Sequence, residues 1–131
     1  MKLAIERAKP FTGVADFVAQ SGAAHWVLPL PASEPVFGGH YPGNPILPGI
    51  YTLESITQGV EMYYAQQNQR VRLERVKNMR FMAPLVPGDR VRITVETGPG
   101  TDINRIQVKA LVWRDEVKAA SAKLQFLILE A

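Results

Sequence analysis

Two residues of this sequence combine proton-transfer chemistry with an unusual setting, His40 and Glu54. His40 lies in the stretch FGGHYPGNPILPG (residues 37–49), and Glu54 lies in the apolar segment IYTLESITQ (residues 50–58) that follows. Imidazole titrates near pH 6.5, so a histidine held in a defined place suits proton abstraction close to neutrality. A lone histidine in a loop is also a common surface residue, and residue type alone does not decide between these alternatives.

The loop around His40 is rich in residues that set the backbone. Glycine permits conformations that other residues avoid, and proline fixes φ. The glycines are Gly38, Gly39 and Gly43, and the prolines are Pro42, Pro45 and Pro48. Such a loop can hold one side chain in place. It also brings backbone N–H groups to the start of the next helix, where the helix dipole favours developing negative charge.

The segment from Pro48 to about Gln67 has a helical pattern, with Pro48 suited to the first helical position. On a wheel of ~100° per residue, most apolar positions form one broad arc and two form a second patch. The arc holds Ile50, Leu53, Ile56, Thr57, Val60, Tyr63 and Tyr64; the patch holds Tyr51 and Met62. Glu54, Gln58 and Glu61 form a narrow polar wedge between them. The wedge is either the solvated face of the helix or a site where a partly desolvated carboxylate has a raised pKa.

Several other kinds of site are excluded by the residues present. The sequence has no cysteine, its only histidines are His25 and His40, and it has no HExxH motif, so a zinc site is not expected. It also lacks the glycine-rich phosphate-binding motifs and the GxSxG nucleophile motif. Ser55 follows Glu54 directly, and adjacent helix positions do not face each other, so a serine nucleophile is not predicted.

The rest of the chain predicts strands around the single helix. Residues 23–30 favour one strand before the helix, and residues 71–129 favour about four after it, with clear apolar–polar alternation in RVRITVE and NRIQVKALVW. Residues 1–21 are ambiguous, and GVADFVAQ (residues 13–20) is compatible with a short helix. We therefore predict an α+β domain over residues 1–131, with one helix on an antiparallel sheet. Exposed strand edges and a sheet covered on one face predict a homo-oligomer.

Composition places the chain among ordinary globular domains. It has 131 residues, 47% of them hydrophobic and 21% charged, with a formal net charge of +3. Its first residues lack the apolar core of a secretory signal, so a cytoplasmic location is expected. Residues 70–80, RVRLERVKNMR, form a basic strip that is either a solvated strand face or a surface for an acidic partner.

The stretch EPVFGGHYPGNPILPGIYTLESITQ (residues 34–58) resembles the signature of FabZ-type β-hydroxyacyl-[acyl carrier protein] dehydratases, roughly EPxFxGHFPGxPxxPGVLxxEAxAQ. RFMAPLVPGDRV (residues 80–91) is similar to a second segment of that family. The positions kept are Glu34, Pro35, Phe37, Gly39, His40, Pro42, Gly43, Pro45, Pro48, Gly49, Glu54 and Gln58. The resemblance covers about residues 23–129. Residues 1–21 diverge from the usual family start, which leaves fatty acid synthesis and polyketide or polyene assembly both open.

The resemblance implies a hot-dog fold, a dimer and a defined set of roles. His40 is expected to remove the α-proton and Glu54 to protonate or orient the leaving hydroxyl. The Gly49 N–H is expected to bind the thioester carbonyl, and Gln58 to support Glu54. In family members the histidine and glutamate of one site come from different subunits. No metal or redox cofactor is expected, since the substrate is carried on the phosphopantetheine of the carrier protein.

The remaining expectations concern the acyl chain and the partners. Phe81 and Met82 are predicted to line an acyl tunnel, with plain core packing as the alternative. Arg72, Arg75, Lys77 and Arg80 are predicted to dock the acidic carrier. Either a homodimer or a heterodimer with a second hot-dog subunit fits, and assembly beyond the dimer is left open. The alternatives to a dehydratase are a hot-dog thioesterase and a non-catalytic carrier-binding subunit. Nucleic acid and membranes are not expected partners.

Overall fold

The structure is a computed structural model and describes residues 11–33 and 46–129. Within these ranges the chain forms one α-helix and six β-strands. In chain order they are β1 Ala15–Gln20, β2 Ala23–Leu28, α1 Gly49–Ala65, β3 Arg70–Phe81, β4 Val91–Pro99, β5 Arg105–Arg114 and β6 Val117–Leu129. None of the described residues belongs to a helix long and apolar enough to cross a lipid bilayer.

The strands form one antiparallel sheet in the order β1-β2-β4-β5-β6-β3. Helix α1 packs on this sheet and contacts β2, β3 and β4. This is the predicted α+β arrangement, and it agrees with the expected hot-dog fold. Strand β3, which follows the helix in the chain, lies at one edge of the sheet, and β1 lies at the other.

The ambiguity of residues 13–20, which were compatible with a short helix, is resolved in favour of a strand, since Ala15–Gln20 forms β1. It pairs with β2 through a turn in which Gly22 has a φ of 76°. The Gly22 N–H donates to the Tyr63 hydroxyl at 2.7 Å, which ties this turn to α1. Pairing with β2 and attachment to the helix therefore outweigh the weak helical pattern of the segment.

The buried face of α1 differs in part from the predicted apolar arc. Ile56, Val60, Tyr63 and Tyr64 are buried as the arc implies, but Ile50 is 67% exposed. The buried positions also include the small or polar residues Thr52, Ser55 and Gly59. Small side chains face the sheet here because the large Trp26 ring lies against this part of the helix.

Trp26 of β2 sets the distance between helix and sheet. Its side chain is fully buried, and its ring lies directly against Gly59, where a Cβ atom would overlap three ring atoms. The indole N–H donates to the Ser55 hydroxyl at 3.1 Å. The core then spreads from Trp26 between α1 and the sheet, with Leu28, Ile93, Val112, Leu124 and Phe126 among its fully buried members.

Strand β3 contains two irregularities in its pairing with β6, one between Leu73 and Arg75 and one between Val76 and Asn78. Each inserts one residue and reverses the alternation of faces. Strict alternation would place Arg75 on the face opposite to Arg72 and Arg80. With both irregularities, these three arginines pair with Gln125, Leu127 and Ser121 of β6, whereas the alternate β6 residues Ala120, Ala122, Leu124 and Phe126 face the core. The arginines therefore share the sheet face that points away from the helix.

Replacing Gly59 with alanine is expected to lower thermal stability. Alanine is a better helix former than glycine by about 1 kcal/mol, but overpacking a core costs about 1–3 kcal/mol, and the buried Trp26 ring cannot swing into solvent. We expect a lower Tm in thermal unfolding followed by circular dichroism. Gly98→Ala is the matched control, since nothing lies within 4 Å of a Cβ built there. A Gly59→Ala variant as stable as wild type would show that the ring is free to shift.

Candidate functional site

The described part of the predicted site lies on α1 and at the end of β3. His40 and residues 34–45 around it lie outside the described residues. The structure therefore places Gly49, Glu54, Gln58, Phe81, Met82 and the four basic residues of β3, and the placement of His40 stays a prediction.

Gly49 begins α1, and its N–H group has no hydrogen-bond partner among the described residues. Pro48 precedes it with an extended backbone (φ −62°, ψ 143°), no side chain caps the helix, and the first turn contains no acidic residue. The hydrogen bonds of the described residues include none donated by the Gly49 N–H. A free N–H at a helix start attracts an anionic or polarised oxygen.

Phe81 lies against Gly49, so that a Cβ at this position would come within 2.5 Å of the ring. The side chains of Phe81 and Met82 are 55% and 50% exposed, so plain core packing does not describe them. Both line a pocket of about 490 Å³ together with Gly49. Its other lining residues are Ile46, Leu47, Pro48, Thr52, Ala83, Pro84, Leu85, Ala119 and Ala120. The structure thus brings the predicted tunnel residues to the helix start.

Glu54 is held by Gln58 on the exposed side of α1. The Gln58 side-chain amide donates to Glu54 Oε2 at 3.0 Å, one helical turn away, as the spacing predicts. Glu54 is exposed, so its expected partial desolvation is not found in the single chain. Neither Glu54 nor Gln58 lines the pocket beside Gly49.

Gln58 also binds the backbone of the segment that precedes β1. Its Oε1 accepts from the Gly13 N–H at 3.1 Å, and its Nε2 donates to the Phe11 carbonyl at 3.3 Å. The Ser55 hydroxyl donates to the Gly13 carbonyl. Sequence patterns gave no signal for Phe11 and Gly13, because these contacts join positions more than 40 residues apart.

Glu61 is the wedge residue with a perturbed carboxyl group. Partial burial of the carboxyl raises the pKa of Glu61 above its ordinary value of 4.5, and the nearby charge of Glu54 raises it further. Part of its side chain still reaches solvent. The raised carboxyl pKa expected in the polar wedge is therefore found at Glu61, one turn beyond Gln58. No catalytic role is assigned to Glu61.

The basic residues Arg72, Arg75, Lys77 and Arg80 are all exposed on the edge strand β3. Glu74, the single acid among them, accepts hydrogen bonds from Arg105 at 3.0 and 3.2 Å and from Gln125 at 2.8 Å. These bonds, from Arg105 first, lower the pKa of Glu74. Arg105 also pairs with Asp102 at 3.0 Å, so Glu74, Asp102 and Arg105 together carry one net negative charge beside the four basic residues of the strip.

A depression of about 540 Å³ lies on the sheet face away from the helix, at the end of the basic strip. Arg80 lines it together with His25, Lys109, Lys123 and Glu96. His25 therefore sits half-buried on this outer face, apart from the pocket beside Gly49. The depression is basic because Arg80, Lys109 and Lys123 outnumber the single carboxylate of Glu96.

The chemistry available on the described part of the site is hydrogen bonding and proton transfer. Within residues 11–33 and 46–129, no three His, Asp or Glu side chains are grouped so as to hold a metal ion. Helix α1 presents an exposed carboxyl group at Glu54 and, at its start, a backbone N–H beside an apolar pocket that Glu54 does not line. This combination suits a substrate with a carbonyl oxygen and an apolar chain.

Comparisons with known proteins connect this geometry to an activity. The sequence model of the ApeI-like family, described as ApeI dehydratase, matches residues 18–122. The 3-hydroxyacyl-[acyl-carrier-protein] dehydratase FabZ of Symbiobacterium thermophilum is 37% identical over 108 residues, covering 76% of this chain and 72% of that protein. FabZ of Geobacter metallireducens is 35% identical over 101 residues, covering 72% of this chain and 67% of that protein.

Solved structures share the fold at low sequence identity. The dehydratase heterocomplex ApeI:P from Xenorhabdus doucetiae aligns with a TM-score of 0.65 and 18% identity, covering 82% of this chain and 89% of that one. The PaaI protein of E. coli aligns with a TM-score of 0.72 and 13% identity, covering 98% and 86%. Fold and relatives together define a hot-dog-fold dehydratase, a hydro-lyase. The chain belongs to the ApeI-like family of dehydratases.

Replacing Glu61 with glutamine is expected to stabilise the protein at neutral pH. With a raised pKa, folded Glu61 holds its proton more tightly than unfolded Glu61, so stability falls as the pH rises from 4.5 through the folded pKa. Glu61→Gln lacks this loss, so its gain in free energy of unfolding should be present at about pH 7 and absent below about pH 4. Urea unfolding at both pH values measures it. Glu116→Gln, in the exposed turn before β6, is the control, and an equal gain at both pH values would contradict the effect.

Proposed function

We propose that the protein removes water from a 3-hydroxyacyl thioester carried on acyl carrier protein and releases the trans-2-enoyl thioester, in fatty acid or polyketide and polyene synthesis. The observation that supports this most directly is the arrangement on α1. A carboxyl group is fixed by Gln58, and the same helix begins beside an apolar pocket with an N–H that has no partner in residues 11–33 and 46–129. The substrate is the one that the names of the FabZ relatives state.

In the proposed reaction His40 takes the α-proton of the acyl group, and its imidazole becomes protonated. The electron pair of that C–H bond forms the double bond to the β-carbon, and the bond from the β-carbon to the hydroxyl oxygen breaks. Glu54 gives its proton to that oxygen, which leaves as water. The Gly49 N–H bonds the thioester oxygen while negative charge builds there. Transfer of the proton from His40 back to Glu54 through solvent restores both groups, and no cofactor is needed.

We further propose that each site is shared by two subunits, with His40 and Glu54 contributed by different chains. The exposed position of Glu54 supports this, because its carboxylate is open to another surface. Exposed apolar side chains near the helix start, Ile50, Phe81 and Met82, support it as well, since they would be covered in an assembly.

The partner subunit is either a second copy of this chain or another hot-dog subunit. The solved neighbour from Xenorhabdus doucetiae is named as a heterocomplex, which supports keeping the second possibility. Size measurement of the purified chain, followed by an activity assay alone and with candidate partners, separates the two. An inactive chain that gains activity only with a second subunit would favour the heterodimer.

The acyl chain is proposed to enter the pocket beside Gly49. Phe81 contacts Gly49 and Met82 follows it, so both side chains would touch the part of the acyl group near the thioester. The backbone here is fixed by neighbouring strands: Met82 N–H and Ala83 N–H both donate to the Ala119 carbonyl, at 2.7 and 3.2 Å. Such fixed walls favour a defined orientation of the thioester.

The carrier protein is proposed to dock on Arg72, Arg75, Lys77 and Arg80. Arg80 lies on the outer sheet face, and the next residue, Phe81, lines the pocket on the helix side. An acidic protein on the basic face could therefore pass its arm around the end of β3 to the pocket. Lys109 and Lys123 extend the positive charge beyond β3.

The reaction and both roles are tested by incubating the purified chain with a carrier-bound 3-hydroxyacyl substrate and following loss of one water by mass spectrometry. We expect dehydration by the wild type and a loss of at least about 100-fold in rate for His40→Ala and for Glu54→Gln, since each removes a general acid or base. Free thiol is measured in parallel. Release of thiol would identify a thioesterase instead. An intact substrate with an intact dimer and carrier binding would identify a non-catalytic subunit.

The docking surface is tested with salt and with a single charge change. Arg80→Gln is expected to raise KM for carrier-bound substrate several-fold and to leave KM for a small thioester mimic unchanged, since attraction between exposed charges acts only on the carrier. Added salt should raise the KM for carrier-bound substrate and leave the KM for the small thioester mimic unchanged. Gln66→Glu, at the exposed C-terminal end of α1 on the other face of the sheet, changes the net charge equally and serves as control. Equal effects of the two variants would place the carrier elsewhere.

A further inference from the structure

The segment that precedes β1 is attached to α1 at three positions on one face of the helix. The Phe11 ring packs on the Tyr51 ring with centroids 5.1 Å apart. The Ser55 hydroxyl donates to the Gly13 carbonyl, and the Gln58 amide binds both Phe11 and Gly13. Residues 11–14 belong to no strand, and three of their backbone groups, the Phe11 carbonyl and the Gly13 N–H and carbonyl, bond to helix side chains instead of a ladder.

We propose that residues 11–13 position Glu54 for catalysis by fixing the side-chain amide of Gln58. This inference rests on the proposed function, in which Glu54 is the acid. It assigns a role to the part of the chain that diverges from the usual start of FabZ-type sequences. Phe11 and Gly13 act here through another side chain, so they are positioning residues.

The argument begins with the chemistry of the amide. An amide side chain has one acceptor oxygen and one donor nitrogen, and the two ends look alike in shape. The Gly13 N–H requires an acceptor, and the Phe11 carbonyl requires a donor. Together they admit only the orientation in which Oε1 faces Gly13 and Nε2 faces Phe11. Turned by 180°, the amide would place donor against donor at Gly13 and acceptor against acceptor at Phe11.

The same orientation decides what Gln58 presents to Glu54. With Nε2 fixed by the Phe11 carbonyl, its second hydrogen is free to bond Glu54 Oε2 at 3.0 Å. A turned amide would place an oxygen against the carboxyl group instead. Segment 11–13 thereby determines that Glu54 meets a donor.

The bond also distinguishes the two oxygens of Glu54. A neutral carboxyl group has one acceptor oxygen and one oxygen that bears the proton. Since Oε2 accepts from Gln58, the transferable proton belongs on Oε1. A fixed Oε2 limits rotation of the carboxyl group, so Oε1 points in one direction toward the hydroxyl that leaves. Residues 11–13 thereby fix the direction in which Glu54 offers its proton.

Gly13 is the position where the arrangement is most easily disturbed. It is buried, and a Cβ there would lie 2.6 Å from Gln58 Oε1 and 3.0 Å from Ser55 Cα. An alanine must therefore displace the Gln58 amide, the helix or the segment itself. Because Gly13 touches no reacting group, its effect on chemistry passes either through Gln58 or through a shift of the helix at Ser55, and the double-mutant cycle separates the two.

The test is a double-mutant cycle on kcat with Gly13→Ala, Gln58→Met and the combined variant. A hydrogen bond to a charged group contributes roughly a 10- to 100-fold factor, so each single variant should lower kcat by that order, with KM changed less than about threefold. If Gly13 acts through Gln58, the combined variant should be no slower than Gln58→Met. Gly98→Ala, with open space around its Cβ, is the control and should keep wild-type kcat.

Losses that multiply in the combined variant, or a change in KM alone, would overturn the proposal. If Gly13→Ala does not fold, Phe11→Ala replaces it in the cycle. That variant loosens the segment by removing the ring contact with Tyr51 and keeps every backbone hydrogen bond, so a smaller loss with the same non-additivity is expected.

Glu54→Gln is assayed beside these variants. If Glu54→Gln keeps wild-type kcat, both the catalytic role and the positioning role fail. If it is inactive while the losses multiply, only the positioning role fails.

Discussion

The packing of the Trp26 ring against Gly59 determines where the helix sits on the sheet, and the site depends on that distance. A glycine under the ring lets α1 approach β2 more closely than any side chain would allow, and Ser55 accepts the indole N–H at the same level. The Ser55 hydroxyl then donates to the Gly13 carbonyl, so the hydrogen bonds run from the sheet through the helix to the segment before β1. With the helix fixed in this way, Glu54 and Gln58 are held at a constant distance from the sheet.

Local patterns predicted the parts of the fold that depend on neighbouring residues. The helix was expected from Pro48 to about Gln67 and forms from Gly49 to Ala65, because its start signal and apolar period lie within the segment. Burial alternates along β4 and β5 as their sequences indicate. Strand β1 was missed because its stability comes from pairing with β2 and from the Tyr63 contact, and neither leaves a pattern in its own sequence. The irregularities in β3 were missed for the same reason, since β6 defines them.

The site divides in a similar way. The bond between Gln58 and Glu54 joins residues one helical turn apart, so spacing alone could suggest it. The contacts of Phe11 and Gly13 with Gln58 bridge 47 and 45 positions and could not be found by any local pattern. Glu54 was expected to be partly desolvated because apolar residues flank it on the wheel. In the fold those residues divide between a buried face and exposed positions such as Ile50 and Met62, so the single sheet leaves Glu54 open.

The end of β3 shows how strand geometry can serve two surfaces at once. Successive residues of a strand point to opposite faces, so Arg80 contributes charge to the outer depression while Phe81 contributes a ring to the pocket by Gly49. The two irregularities earlier in the strand bring Arg75 to the same side as Arg72 and Arg80. A regular strand with this sequence would turn Arg75 toward the apolar core, where an unpaired guanidinium is costly. The inserted residues Glu74 and Lys77 therefore let Arg72, Arg75 and Arg80 share the outer face without placing a charge in the apolar core.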